Sequence, residues 1–126
     1  MRLFPVVTAL VIGLSGCAAG SSNMSIGTDQ SLVSLKDQRE ATSVVKKYAS
    51  IPAGANLIGR VDASRCHRYQ GSPKPTEADV EIDLKVVAYG KGADGIADVK
   101  FTSGVGLARN CWGIITGEAQ AFSFPK

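Results

Sequence analysis

Apolar and polar positions change rhythm several times along this chain. From Leu3 to Leu14 the sequence is almost continuously apolar, and from Ala18 to about Thr28 it is small and polar. The second stretch offers too little apolar surface to offset its ordering entropy, which predicts a flexible segment. Between Ser31 and Ser50 the pattern is mixed. Leu32, Leu35, Val44, Val45 and Tyr48 line a weak helical face, with Lys36, Arg39, Lys46 and Lys47 outside it, and Pro52-Ala53-Gly54 then punctuates the chain.

A compact domain is expected from about Asn56. Leu57 to Val61 reads as a strand, and Gly71-Ser72-Pro73-Lys74-Pro75 reads as a loop. Thr76 stands where a helix N-cap belongs, with Glu77 and Asp79 in the first turn, where acids favour the helix dipole. Val80, Leu84, Val87 and Ala88 then recur at helical spacing, Glu81 and Lys85 form an i, i+4 pair, and Gly90-Lys91-Gly92 supplies the stop. After it, Ala97, Val99 and Phe101 alternate on one side of a strand. A last strand from Trp112 to Phe122 sets Ile115, Gly117, Ala119 and Ala121 against Thr116, Glu118 and Gln120.

The order is β-α-β-β, and the fold class is α+β: one main helix packed on a short mixed sheet. A helix crossing between the first two strands makes them parallel, and the last strand returns antiparallel.

The apolar start ends in Leu14-Ser15-Gly16-Cys17, after a single basic residue, Arg2. The run is shorter than the about 20 residues of a membrane span, and its basic start, apolar middle and small-residue end are those of a cleaved export signal. Residues 1–16 are therefore read as a signal peptide of the bacterial lipoprotein type, with Cys17 as the lipidated first residue of the mature chain. An ordinary secretory signal or an N-terminal anchor helix are the plainer alternatives. Resemblance to bacterial lipoproteins implies a diacylglyceryl thioether on Cys17 and a further acyl chain on its amine. Ala18 follows, where Asp would mark inner-membrane retention, so the expected place is the periplasmic face of the outer membrane.

Removing 16 residues from 126 leaves 110, enough for one domain after a tether over 17–55. Without Arg2 the chain carries 13 basic and 11 acidic side chains and no dense basic stretch, which gives no nucleic-acid footprint.

Once Cys17 is assigned to lipid, Cys66 and Cys111 remain as an even pair in an oxidising compartment. A disulfide between them is the expected state, with two free thiols or a metal pair as alternatives. His67, the sole histidine, adjoins Cys66. A bridged thiol serves neither as nucleophile nor as metal ligand, and adjacent side chains in an extended segment point apart. Ser64 has no acid–histidine constellation legible in sequence, and Asp79, Glu81 and Asp83 read as a solvated helix face. No cofactor, metal site or enzymatic activity is expected.

The segment Ile58 to Cys66, the helix and turn Leu84 to Ile96, Thr102-Ser103-Gly104, Cys111 and Gly117-Glu118-Ala119 together resemble the RcsF family of outer-membrane stress-sensing lipoproteins. The likeness spans about residues 56–124. It implies that Cys66 and Cys111 match one family disulfide, and that the partners are an inner-membrane signalling regulator of the Rcs phosphorelay or an outer-membrane barrel. The family's second disulfide has no counterpart here, and the tether is shorter and lacks the proline-rich basic segment that threads through a barrel. The expected function is a lipid-anchored, non-enzymatic periplasmic module that senses or relays envelope stress, touching its partners through residues 67–74 and 102–110. The alternatives are a structural or assembly lipoprotein of the outer membrane or, from a distant likeness of the β-α-β-β unit to small YbjQ-like domains, a metal- or ligand-binding oligomer.

Overall fold

The computed structural model describes residues 23–26, 34–68, 71 and 73–126, with residues 23–26 and Arg109 described by their backbone alone. The expected signal peptide, Cys17 and Leu32 lie outside the described residues. Strand β1 spans Asn23–Ile26, helix α1 Leu35–Val44, β2 Lys46–Tyr48, β3 Asn56–His67, helix α2 Glu77–Gly90, β4 Gly95–Gly106 and β5 Cys111–Ser123. The five strands form one mixed sheet in the order β1-β3-β5-β4-β2. β5 runs antiparallel to both β3 and β4, while β2 joins the far edge parallel to β4.

The expected β-α-β-β unit is β3-α2-β4-β5, an α+β arrangement. β3 and β4 run the same way, as the helical crossover requires, but β5 lies between them and pairs with each.

Helix α2 forms where its end signals stand. The Thr76 hydroxyl accepts from the Asp79 backbone N–H, and the Asp79 carboxylate accepts from the Thr76 N–H, a reciprocal capping box. At the other end Gly92 takes a φ of +79°, its N–H donates to the Tyr89 carbonyl, and the Ala93 N–H donates to that of Ala88. This left-handed closure favours glycine because it has no Cβ to clash.

Val80, Leu84 and Ala88 of α2 pack against Val61 and Ala63 of β3, Ile96 of β4, and Ala119 and Ala121 of β5. The opposite face of the sheet is polar: Ser64 and Thr116 share a hydroxyl hydrogen bond of 2.8 Å, and Arg60 pairs with Glu118. One covered and one wet face is the usual state of an antiparallel sheet. Gly117 lets the helix lie close, since a Cβ there would sit 2.7 Å from Val80 Cγ1 and 3.0 Å from Leu84 Cδ1.

Four sequence expectations change. The folded unit takes in residues upstream of Asn56: α1 packs on α2, β2 pairs with β4, and Val45 is fully buried in the core. The helical face expected over Ser31–Ser50 breaks at Val45, whose extended backbone turns the chain into β2. α1 accordingly buries Ala41 and leaves Leu35 exposed.

Within the stretch expected to be flexible, Asn23–Ile26 pairs with β3, Asn23 opposite His67 and Ile26 opposite Ser64. Backbone hydrogen bonds drive that pairing whatever the side chains, because the edge of β3 offers donors and acceptors that need partners.

In β4, Asp98 adopts a φ of +52°, and two residues, Asp98 and Val99, oppose Ala119 alone. This bulge interrupts the simple alternation read from Ala97 to Phe101.

Candidate functional site

The end of the sheet where β3 finishes and β5 begins is closed by the Cys66–Cys111 disulfide, with Cα atoms 5.5 Å apart and both residues buried. The expected pairing is therefore present. It lies under the β4–β5 connection, where a short 3-10 turn, Leu107–Arg109, leads to Asn110 at a φ of +56°. A Cβ on Gly106 would stand 3.1 Å from the Cys111 Cβ, so the bridge sits tight beneath the turn.

Beside it opens a shallow cleft of about 340 Å³ between the sheet end and the loop leading into α2. His67 comes from β3, Lys74 and Pro75 from the loop, Ser103 and Gly104 from β4, and Trp112 to Ile115 from β5. Among the described residues, no carboxylate and no free thiol lines it. The lining is chiefly apolar, with the His67 ring and the Lys74 ammonium as polar handles.

The structure joins the two segments read as exposed loops but changes their character. His67 is a buried strand-end residue and Thr102 to Gly106 belong to β4, so the true turn is short. The turn and the strand ends that flank it are apolar, with Val105, Leu107 and Trp112 exposed by 70, 72 and 60%. The strand reading from Trp112 to Phe122 did not reveal that Trp112 faces solvent. The signal was the concentration of Val105, Leu107 and Trp112 around the Gly106 and Asn110 turn residues.

The three carboxylates expected on a solvated helix face have other positions. Asp79 closes the capping box. Glu81 accepts from Lys47 at 2.6 Å and Lys85 at 3.1 Å. Burial alone would push the Glu81 carboxyl up, but those two ammonium groups outweigh it and hold it below its ordinary value. Asp83 is buried and bound by Arg65 through Nε at 2.6 Å and Nη2 at 2.8 Å. Hydrogen bonding to Asp83 raises the Arg65 guanidinium above its ordinary value, against the opposing effect of burial. Ser64 bonds to Thr116 on the polar face of the sheet. Among the described residues no cluster of three or more His, Cys, Asp or Glu is placed to hold a metal ion, and no helix is long and apolar enough to cross a membrane.

No family model and no curated protein matches this sequence. Among solved structures, the chain is similar to a protein of unknown function from Pediococcus pentosaceus ATCC 25745 that belongs to the DUF74 family. The two share 16% identity over 66% of this chain and 99% of that one, with a TM-score of 0.45, a likeness that carries no argument about function.

Proposed function

We propose that this chain is a lipid-anchored, non-enzymatic periplasmic module of the outer membrane that senses or relays envelope stress by touching membrane-protein partners, as the RcsF-like sequence pattern implies. The observation that carries this reading is the cleft at the disulfide-closed end of the sheet, an apolar surface braced by the bridge, with no carboxylate or thiol among the described residues of its lining. A surface held by a covalent bridge loses less entropy on binding than a free loop does. A lipid on Cys17 confines that surface to one membrane and raises its effective concentration for partners there.

The test begins with Cys17→Ala, which is expected to leave an uncleaved precursor that fails to reach the outer membrane. Photocrosslinkers placed around the cleft are expected to capture an envelope membrane protein in cells. Ser103→Arg, at an exposed position on the cleft, is expected to abolish capture while the domain stays folded. Deletion of the gene should alter the response to outer-membrane damage. Normal processing of Cys17→Ala removes the anchor from the proposal, and an unchanged damage response removes the sensing role.

A further inference from the structure

We infer that the β4–β5 tip, built from Val105, Leu107 and Trp112, docks into a phospholipid surface carrying anionic head groups, so that the domain stands on the membrane with its cleft at the lipid boundary. This inference rests on the anchoring of Cys17 proposed above and names what its exposed apolar tip meets.

The first support is where the tether enters the fold. Asn23, the first residue of β1, pairs with His67, which itself pairs with Gly113. The chain thus enters the sheet in the row next to Trp112, at the disulfide end. Five residues lie between Cys17 and Asn23, and the six steps of a fully extended chain span at most about 20 Å. Past the row of Asn23, β5 continues through Trp112 and Cys111 to the turn at Asn110, a further three positions or about 10 Å of strand. The end of the sheet nearest the membrane is therefore the end that projects the tip, while Asn56 and Ser123, paired at the opposite end of β3 and β5, point away.

The second support is composition. Among the described residues, Val105, Leu107 and Trp112 are the most exposed large apolar side chains at this end, and indole rings favour the head-group level of a bilayer. The segments 66–76 and 102–117 contain Arg68, Lys74 and Arg109 and no Asp or Glu. An apolar tip whose flanking segments carry basic and no acidic residues matches the layered chemistry of an anionic membrane surface.

Trp112 is the sole tryptophan, so intrinsic fluorescence reports this position alone. The processed full chain would be reconstituted into vesicles of phosphatidylethanolamine and phosphatidylglycerol, with mass spectrometry of the Cys17 peptide run in parallel. The expected result is acylated Cys17, Trp112 emission shifted to shorter wavelength relative to detergent-free protein, loss of acrylamide quenching, and quenching by brominated lipid. Val105→Ser with Leu107→Ser should reverse all three optical effects while the protein still floats with the vesicles. Leu57→Ser, equally exposed but at the opposite end of the sheet, should change none of them.

Acylated Cys17 with Trp112 open to acrylamide and untouched by brominated lipid overturns the docking and leaves the anchor standing. A peptide without lipid removes the anchor and the docking together. Shielding that grows with protein density but resists brominated lipid assigns the tip to a second copy of the chain, and equal effects from Leu57→Ser show that the tip is not the contact; either overturns the inference.

Discussion

Arg65 and Asp83 meet across the interface between β3 and α2 through two hydrogen bonds of 2.6 and 2.8 Å, with the carboxylate almost fully enclosed. Planar guanidinium and carboxylate match in this two-point geometry, which fixes the axial position of the helix on the sheet. Asp83→Ala removes the carboxylate that takes both hydrogen bonds of the half-buried guanidinium and should destabilise the fold by up to about 3–5 kcal/mol, as breaking a buried pair does. Arg65→Met combined with Asp83→Leu should recover most of the loss. Urea titration of the three variants measures both effects, and a single-variant loss no larger than that of an exposed ion pair contradicts this role.

The Cys66–Cys111 bridge closes 45 residues and is expected to contribute about 4 kcal/mol through loop-closure entropy. Cys66→Ser and Cys111→Ser should lower Tm by similar amounts, and the double variant should lower it no further. The folded domain should take up no thiol reagent at these two positions until it is reduced.

Glu81 sets an acid limit. Its folded carboxyl lies below the ordinary value of 4.5 because Lys47 and Lys85 hold the charged form. The unfolded chain therefore binds its proton first, and stability from this group is complete above about pH 4.5 and is lost as pH falls through the lower folded value. Glu81→Gln should lack that share of the acid-side slope, so its stability deficit at neutral pH should shrink on acidification. Denaturant midpoints from pH 7 to pH 3 give the comparison.

Gly117 is where the helix rests on the sheet. Gly117→Val places carbon among Val80, Leu84 and Phe101 and should cost about 1–3 kcal/mol by overpacking. The same change at Gly104, which has open space around it, should cost little. Thermal melts of the two variants make the contrast.

What the sequence discloses is what depends on near neighbours. Thr76, Asp79 and Gly92 fix the ends of α2 within a few residues of themselves, and the even cysteine pair needs only a compartment to be read. The position of β5 between β3 and β4 follows from pairings dozens of residues apart, which local periodicity does not encode. β2 has three residues, too few for alternation to register, and is held by β4 and by the edge contact of Tyr48 with Phe122. Asp83 follows Val80 by three and precedes Leu84, so it falls on the apolar side of α2. Its charge suggests solvent until Arg65 is known to lie opposite. The cleft escaped for a related reason: it joins residues from four segments that only the disulfide-closed sheet end brings together.

The central place of β5 has a temporal side. β3, α2 and β4 are all made before it, yet β3 and β4 share no ladder and each finds its main partner only in β5. Cys66 likewise waits for a thiol 45 residues later. A chain lacking residues 111–123 has only the short β1–β3 and β2–β4 ladders and nothing to join them into one sheet. Both inner ladders and the disulfide therefore depend together on residues 111–123, the last part of the sheet to be synthesised.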